Sequence, residues 1–296
     1  MQTDTYPLRL GMAMWSHSQW RDTVYGGKHE TAERLARYSE IFSTVEGNTT
    51  FYATPHQTTA RDWSEAVAND FRFTFKFPQE ITHKRLLRSC SQELQTFLHN
   101  MSPLMEKTGL WKIQLPKFFG PAELPLLQAF MGKLPKEMNI GVEVRHDAFF
   151  AKGADEQQLN RLLMDHKANR IIMDSRPVFA APPDTPAIID AQKKKPRVPV
   201  HAIATAKYPV IRFIGHPTLD ANNDFFHSWI GKICQWITDG CRPYLFIHTP
   251  DNIEAPTLAR ELYRQLSDHW LQFHKTQLPV IKTPTPPESN QLGLAL

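Results

Sequence analysis

The chain has 296 residues, 41% hydrophobic and 22% charged, with 34 Lys plus Arg against 30 Asp plus Glu. That balance excludes a disordered polyion and a histone-like nucleic-acid coat, and it suits one large globular domain. The basic pI of 8.9 inclines the protein toward anionic ligands.

The opening MQTDTYPLRL has no apolar stretch of signal-peptide length, and residues 1–7 read as an N-terminal tail. No segment approaches the roughly 20 apolar residues of a membrane-spanning helix. Cys90, Cys234 and Cys241 form no CxxC and leave one thiol over in any pairing. The expectation is a reducing compartment, the cytoplasm by default, with no membrane partner.

Eight short apolar or alternating segments follow, at 8–15, 41–46, 71–77, 110–115, 139–145, 170–174, 210–215 and 244–248. Helical spacing lies between them at 31–38, 91–101, 123–131, 156–164, 225–237 and 258–266. Alternating strands and helices predict a parallel sheet with crossover helices. Eight such units in about 250 residues predict a single α/β domain over 8–278, a (β/α)8 TIM barrel. A doubly wound sheet is the competitor, but no GxGxxG follows the first strand. Two stretches break the repeat. Residues 175–208 form a long, proline-rich loop after the sixth strand that carries QKKKPR at 192–197, and 279–296 read as an extended, dispensable Pro-rich tail.

Side chains alternate across a strand, so one parity of each barrel strand faces the axis. In FRFTFKF (71–77) the aromatic parity belongs under the helices, which leaves Arg72, Thr74 and Lys76 inward. The same sorting turns Lys112 and Gln114, then Gly141, Glu143 and Arg145, toward the axis. Thr44 and Glu46, Arg212 and His248 follow, while Asp174 ends the sixth strand with Arg176 two residues on. Barrel interiors are normally filled by branched apolar residues, and buried charges must be paired, ligand-bound or shifted in pKa. Two expectations compete: a structural ion-pair network, or a site at the carboxyl end of the strands.

The motifs VEGNTTFY (45–52), FRFTFKFP (71–78), GVEVRH (141–146), IMDSRP (172–177), KKKPRVPVH (193–201), IRFIG (211–215), LFIHTP (245–250) and MWSH (14–17) resemble the YecE-like family, the domain of unknown function 72. The match runs in order from about Leu8 to about Leu266. The resemblance implies a TIM barrel related by classification to sugar isomerases, with no established reaction. Its strand-end motifs fall here on Trp15, Glu46, Asn48, Lys76, Gln114, Glu143, Arg145, Asp174, Arg176, Arg212 and His248.

The chemistry read from these residues is that of an enzyme, an isomerase, lyase or hydrolase, acting on an anionic or phosphorylated small molecule such as a sugar. Arg145, Arg176 and Arg212 are the expected anion fork, with Trp15, Asn48 and Gln114 as further binding residues. Lys76 is a clamp or, if desolvated, a Schiff-base amine or base. Glu46 and Glu143 are candidate acid and base with raised pKa, and Asp174 and His248 complete the catalytic set. No organic cofactor is expected. A divalent metal held by Glu46, Glu143, Asp174 and His248 is the alternative for a metal-dependent sugar isomerase or endonuclease. A second alternative is a regulatory or nucleic-acid-binding protein, using Lys193, Lys194, Lys195 and Arg197 with exposed Trp15, Trp20, Phe51 and Tyr52 for stacking.

Overall fold

The computed structural model describes residues 6–284. Eight parallel strands form one sheet in the order β1-β8-β7-β6-β5-β4-β3-β2. They are β1 (Arg9–Met12), β2 (Thr44–Gly47), β3 (Arg72–Lys76), β4 (Thr108–Gln114), β5 (Ile140–Glu143), β6 (Asn169–Asp174), β7 (Val210–Ile214) and β8 (Tyr244–His248). The seam between β1 and β2 is closed by Ser43, whose backbone N–H donates to Leu10 O at 3.2 Å while its Oγ accepts from Leu10 N at 3.1 Å. The protein is a single TIM-barrel-like α/β domain. Each predicted strand is present, mostly shorter than its sequence pattern.

The helices are α1 (Arg34–Ile41), α2 (Gln57–Glu65), α3 (Ser91–Asn100), α4 (Leu124–Met131), α5 (Ala154–Asp165), α6 (Arg176–Ala180), α7 (Pro186–Lys194), α8 (Asn223–Thr238) and α9 (Ala255–His274). Periodicity missed α2, α6 and α7. The last two lie in the connection expected as a plain loop. Pro177 and Pro186 start these helices, because proline's fixed φ and missing N–H suit a first turn. Among the described residues no helix is long and apolar enough to cross a membrane.

Strand parity divides two cores. Phe71, Phe73, Phe75 and Phe77 are buried among the surrounding helices, with Phe77 against Phe97 of α3 at 5.4 Å and Phe130 of α4 at 5.5 Å. Inside the barrel, Leu110, Ile171, Val210, Tyr244 and Phe246 form a separate apolar plug. The 278–282 stretch is not a free tail: Leu278 is buried, and Pro279 O accepts from Tyr263 Oη at 2.8 Å. The remaining expectations for the two ends, at 1–5 and 285–296, lie outside the described residues.

Gly11 sits where β1 meets β2 so closely that a Cβ would fall 2.0 Å from Thr44 O. Backbone cannot yield as a flexible side chain does, so Gly11→Ala is expected to cost about 1–3 kcal/mol in urea denaturation.

Candidate functional site

Above the apolar plug the barrel interior turns ionic. Phe246 is the hinge between the two layers, with Lys112 Nζ 5.4 Å over its ring. Arg212 of β7 lies at the centre and is almost fully buried. Its Nε and Nη2 donate to Glu46 Oε1 and Oε2 at 2.8 and 3.1 Å, and its Nη1 donates to Glu143 Oε2 at 2.8 Å. Lys112 Nζ donates to Glu46 Oε1 at 2.6 Å. Arg145 Nε and Nη2 both reach Glu143 Oε1, at 3.0 and 2.7 Å. Four strands thus meet at two carboxylates. Lys76 Nζ donates to the neutral amide oxygen of Gln114 at 2.8 Å and lies 5.5 Å over the Phe51 ring.

Burial pushes both carboxyls up, but the neighbouring cations outweigh it. Arg212 and Lys112 hold Glu46 well below the carboxylate range, and Arg212, Arg145 and Lys76 do the same for Glu143. The expectation that these glutamates would be raised toward neutrality is therefore corrected: both are fixed as anions. Burial drives Lys76 well below its ordinary range, helped by Arg212 and Lys112. Burial also takes His248 down to about 3 against the pull of Glu46, so its imidazole is neutral, with Nε2 3.1 Å from Glu46 Oε2.

Asp174 and Arg176 do not join this cluster. Asp174 is paired in register with Phe213, which faces the helices, so its carboxylate turns outward. There it accepts from Trp229 Nε1 of α8 at 2.8 Å and from Arg176 Nε and Nη2 at 2.9 and 2.7 Å. With Asp174 on the other face, the four-ligand metal set is not assembled. Among the described residues no group of three or more His, Cys, Asp or Glu is placed to hold a metal ion. Trp15 packs edge-on to Trp63 and Phe73, at 5.1 and 6.2 Å, in the helix layer. Asn48 is half-buried at the end of β2, where its Nδ2 donates to Ala13 O at 2.8 Å.

Two residues are near the cluster that the sequence reading did not place there. His83 follows β3, accepts or donates to Thr82 Oγ1 at 2.9 Å, and is lowered by burial and by Arg145 and Lys76. Lys195 belongs to the basic run assigned above to nucleic acid. Lys193 and Lys194 are exposed in the last turn of α7, whereas Lys195 leaves the helix with extended backbone, φ −93° and ψ 140°. Pro196 disfavours helical geometry in the residue before it, and that was the available signal. Lys195 is half-buried, and burial with the charges of Arg212 and Arg145 takes its amine down to about 8 against the pull of Glu46 and Glu143. Trp20, counted as a stacking candidate, is wholly buried, with Nε1 donating to Asn252 O at 2.8 Å. Tyr52 is 74% exposed.

A family model for the protein of unknown function DUF72 matches residues 9–283. The chain belongs to the DUF72 family. Two curated relatives, the UPF0759 protein YecE of Escherichia coli K12 and that of strain O157:H7, are 46% and 45% identical over 283 residues, 96% of this chain and 98% of theirs. A DUF72 crystal structure from Enterococcus faecalis V583 superposes with TM-score 0.64 at 20% identity, covering 88% of this chain and 95% of that one. One from Thermotoga maritima MSB8 gives 0.64 at 18%, covering 88% and 98%. The DUF72 structures share the barrel with this chain.

Replacing Arg212 by Met leaves two buried carboxylates short of a partner and is expected to cost about 3–5 kcal/mol in chemical denaturation at neutral pH. The acid limb has a defined sign. Depressed native pKa values at His248 and the two glutamates mean that the unfolded chain binds protons first. Stability should therefore fall as pH drops below the ordinary His value of 6.5, and more steeply below the carboxylate value of 4.5. Glu143→Gln should flatten the lower part of a melting-temperature profile and leave the upper part in place.

Proposed function

We propose that the carboxyl end of the barrel binds an anionic small molecule, one bearing a phosphate or carboxylate, and that the protein is an enzyme acting on it. The observation that carries this reading is charge imbalance. Five basic side chains, Lys76, Lys112, Arg145, Lys195 and Arg212, lie around two carboxylates, and burial lowers the proton affinity of the two that have no ion pair, Lys76 and Lys195. Glu46 and Glu143 are already shared by Lys112, Arg145 and Arg212, so Lys76 has only the Gln114 amide and Lys195 has no ion pair among the described residues. An anion would restore the proton affinity of those two lysines, and guanidinium forks suit phosphate and carboxylate oxygens.

The roles divide by position. Glu46, Lys112 and the core of Arg212 form the buried floor, sealed in mutual contact. Arg145, with 22% of its side chain exposed, is the partly open edge of the cluster. His248 Nε2 and Asn48 Oδ1 are buried without an aligned hydrogen-bond partner, and such groups are normally satisfied by water or ligand. Isomerase, lyase and hydrolase chemistry are all compatible with this frame. General-acid chemistry falls to the lysines, because the lowered pKa values keep the glutamates ionised and His248 neutral at neutral pH.

Inorganic phosphate and pyrophosphate are expected to raise the melting temperature of the wild-type protein with saturation, since a ligand of the native state alone stabilises it. Arg145→Met, at the partly exposed rim, should fold and lose that shift. Asp174→Asn should cost about 1.5–3 kcal/mol through its lost charged hydrogen bonds yet keep the phosphate shift. A phosphate shift that survives Arg145→Met, or none in the wild type, would sink the reading.

A further inference from the structure

We infer that Lys195, carried over the barrel mouth by the β6–β7 connection, is a nucleophilic amine that forms an imine with the carbonyl group of an anionic aldehyde or ketone. This rests on the anion-binding reading and deepens it by naming the reactive group of the ligand.

Placement is the first support. Lys195 is the residue at which α7 ends, and its neighbour Pro196 is bonded to Ser175 just past the end of β6, so residue 195 sits at the carboxyl rim of the barrel, within the electrostatic reach of Glu46, Glu143, Arg145, Arg212 and His248. The segment that carries it is fastened on both sides. Ser175 Oγ donates to Pro196 O at 2.7 Å, and Gln192 Nε2 donates to Val178 O and Ala181 O at 2.8 and 2.9 Å. Further along, His201 Nδ1 lies 2.6 Å from Glu156 Oε1, and Thr205 Oγ1 donates to Ala168 O at 2.7 Å while accepting from Arg170 N at 2.8 Å. These bonds hold the backbone around residue 195 in place at the rim.

The second support is the contrast with the other amines. Lys112 is bound to Glu46 and Lys76 donates to Gln114, so both are engaged. Lys194 is ion-paired with Asp190 at 2.8 Å on the open surface, which raises it. Lys195 has neither restraint, and at about 8 roughly a tenth of it is unprotonated at pH 7, far more than of an ordinary lysine. A desolvated lysine beside other cations is the usual form of an imine-forming amine. Arg145 and the rest of the cationic rim would hold the anionic group of the same ligand.

The step balances without an added reagent. The amine lone pair forms a C–N bond to the carbonyl carbon as the C=O π electrons move to oxygen. Both nitrogen protons pass to that oxygen, which leaves as water, and C=N forms. Borohydride then delivers hydride to the imine carbon and a water proton goes to nitrogen, fixing a secondary amine.

Pyridoxal 5′-phosphate and glyoxylate are the probes, one carrying phosphate and the other carboxylate, with phosphate-free pyridoxal as the reference. After borohydride reduction and peptide mass mapping, Lys195 should be modified at least tenfold faster than Lys193 or Lys194 by one or both anionic aldehydes, and much more slowly by pyridoxal. The better aldehyde identifies the anionic group. Inorganic phosphate should protect, and the rate should level off above about pH 8 rather than keep rising as for an ordinary lysine. Lys194→Met should leave labelling at Lys195 unchanged, and Lys195→Met, checked for a cooperative melt, should abolish it. Equal labelling of the three lysines, or labelling centred on Lys76, overturns the assignment. Stabilisation by phosphate with Lys195 unlabelled defeats the imine alone, whereas no stabilisation and no preference for anionic aldehydes defeats the anion reading with it.

Discussion

The bridge from Arg212 to Glu46 and Glu143 is the interaction on which the rest of the barrel interior depends. It joins β7 to β2 and β5 across the axis, in a layer where barrels ordinarily interdigitate branched apolar side chains. A hydrophobic layer of similar volume would serve stability as well or better, since desolvation of buried ions offsets most of their attraction. The ionic layer therefore has another consequence. It holds two carboxylates as anions and one imidazole neutral, which disfavours them as general acids and leaves basic side chains in excess of carboxylates.

The apolar plug beneath makes that layer electrostatically strong. Leu110, Ile171, Val210, Tyr244 and Phe246 exclude water from below, and the phenylalanines of β3 and their helix partners exclude it from the side. In such surroundings charge interactions are far less screened than at the surface. Lys76 and Lys195 respond by giving up proton affinity, because desolvation and neighbouring cations act in the same direction. The connection after β6 then contributes to the site through α7, which ends where its chain can turn back over the strands. Of four surface cavities of about 340 to 460 Å3 among the described residues, one is lined by the β6–β7 connection at Ser175, Arg176 and Arg197, and two lie beside the 278–281 stretch. The ionic cluster is distinguished by its charge and enclosure, not by volume.

The eight strands were legible because period-two alternation and β/α succession are local properties of the chain. β3 is the clearest case: four phenylalanines on one parity left Thr74 and Lys76 only the axis. β6 was not legible in the same way. Arg170, Ile172 and Asp174 share one parity with Ile171 and Met173 on the other, so apolar residues occupy both faces and pattern alone gives no direction. The register with β7 decides it, since Asp174 lies beside Phe213 while Met173 lies beside Arg212. Lys195 was hidden for a related reason, being one of four basic residues whose common label concealed different directions.

By itself the sequence determined the order and type of the elements, the barrel they close into, and which strands carry charge inward, because these follow from side-chain alternation and the cost of burying unpaired polar groups. Only the tertiary structure decided which charges meet, which are spent on one another, and which lysine of the basic run comes under the influence of the buried cluster. Pairing and proton affinity depend on distances of a few ångströms between residues far apart in the chain, and a linear pattern carries no record of those distances.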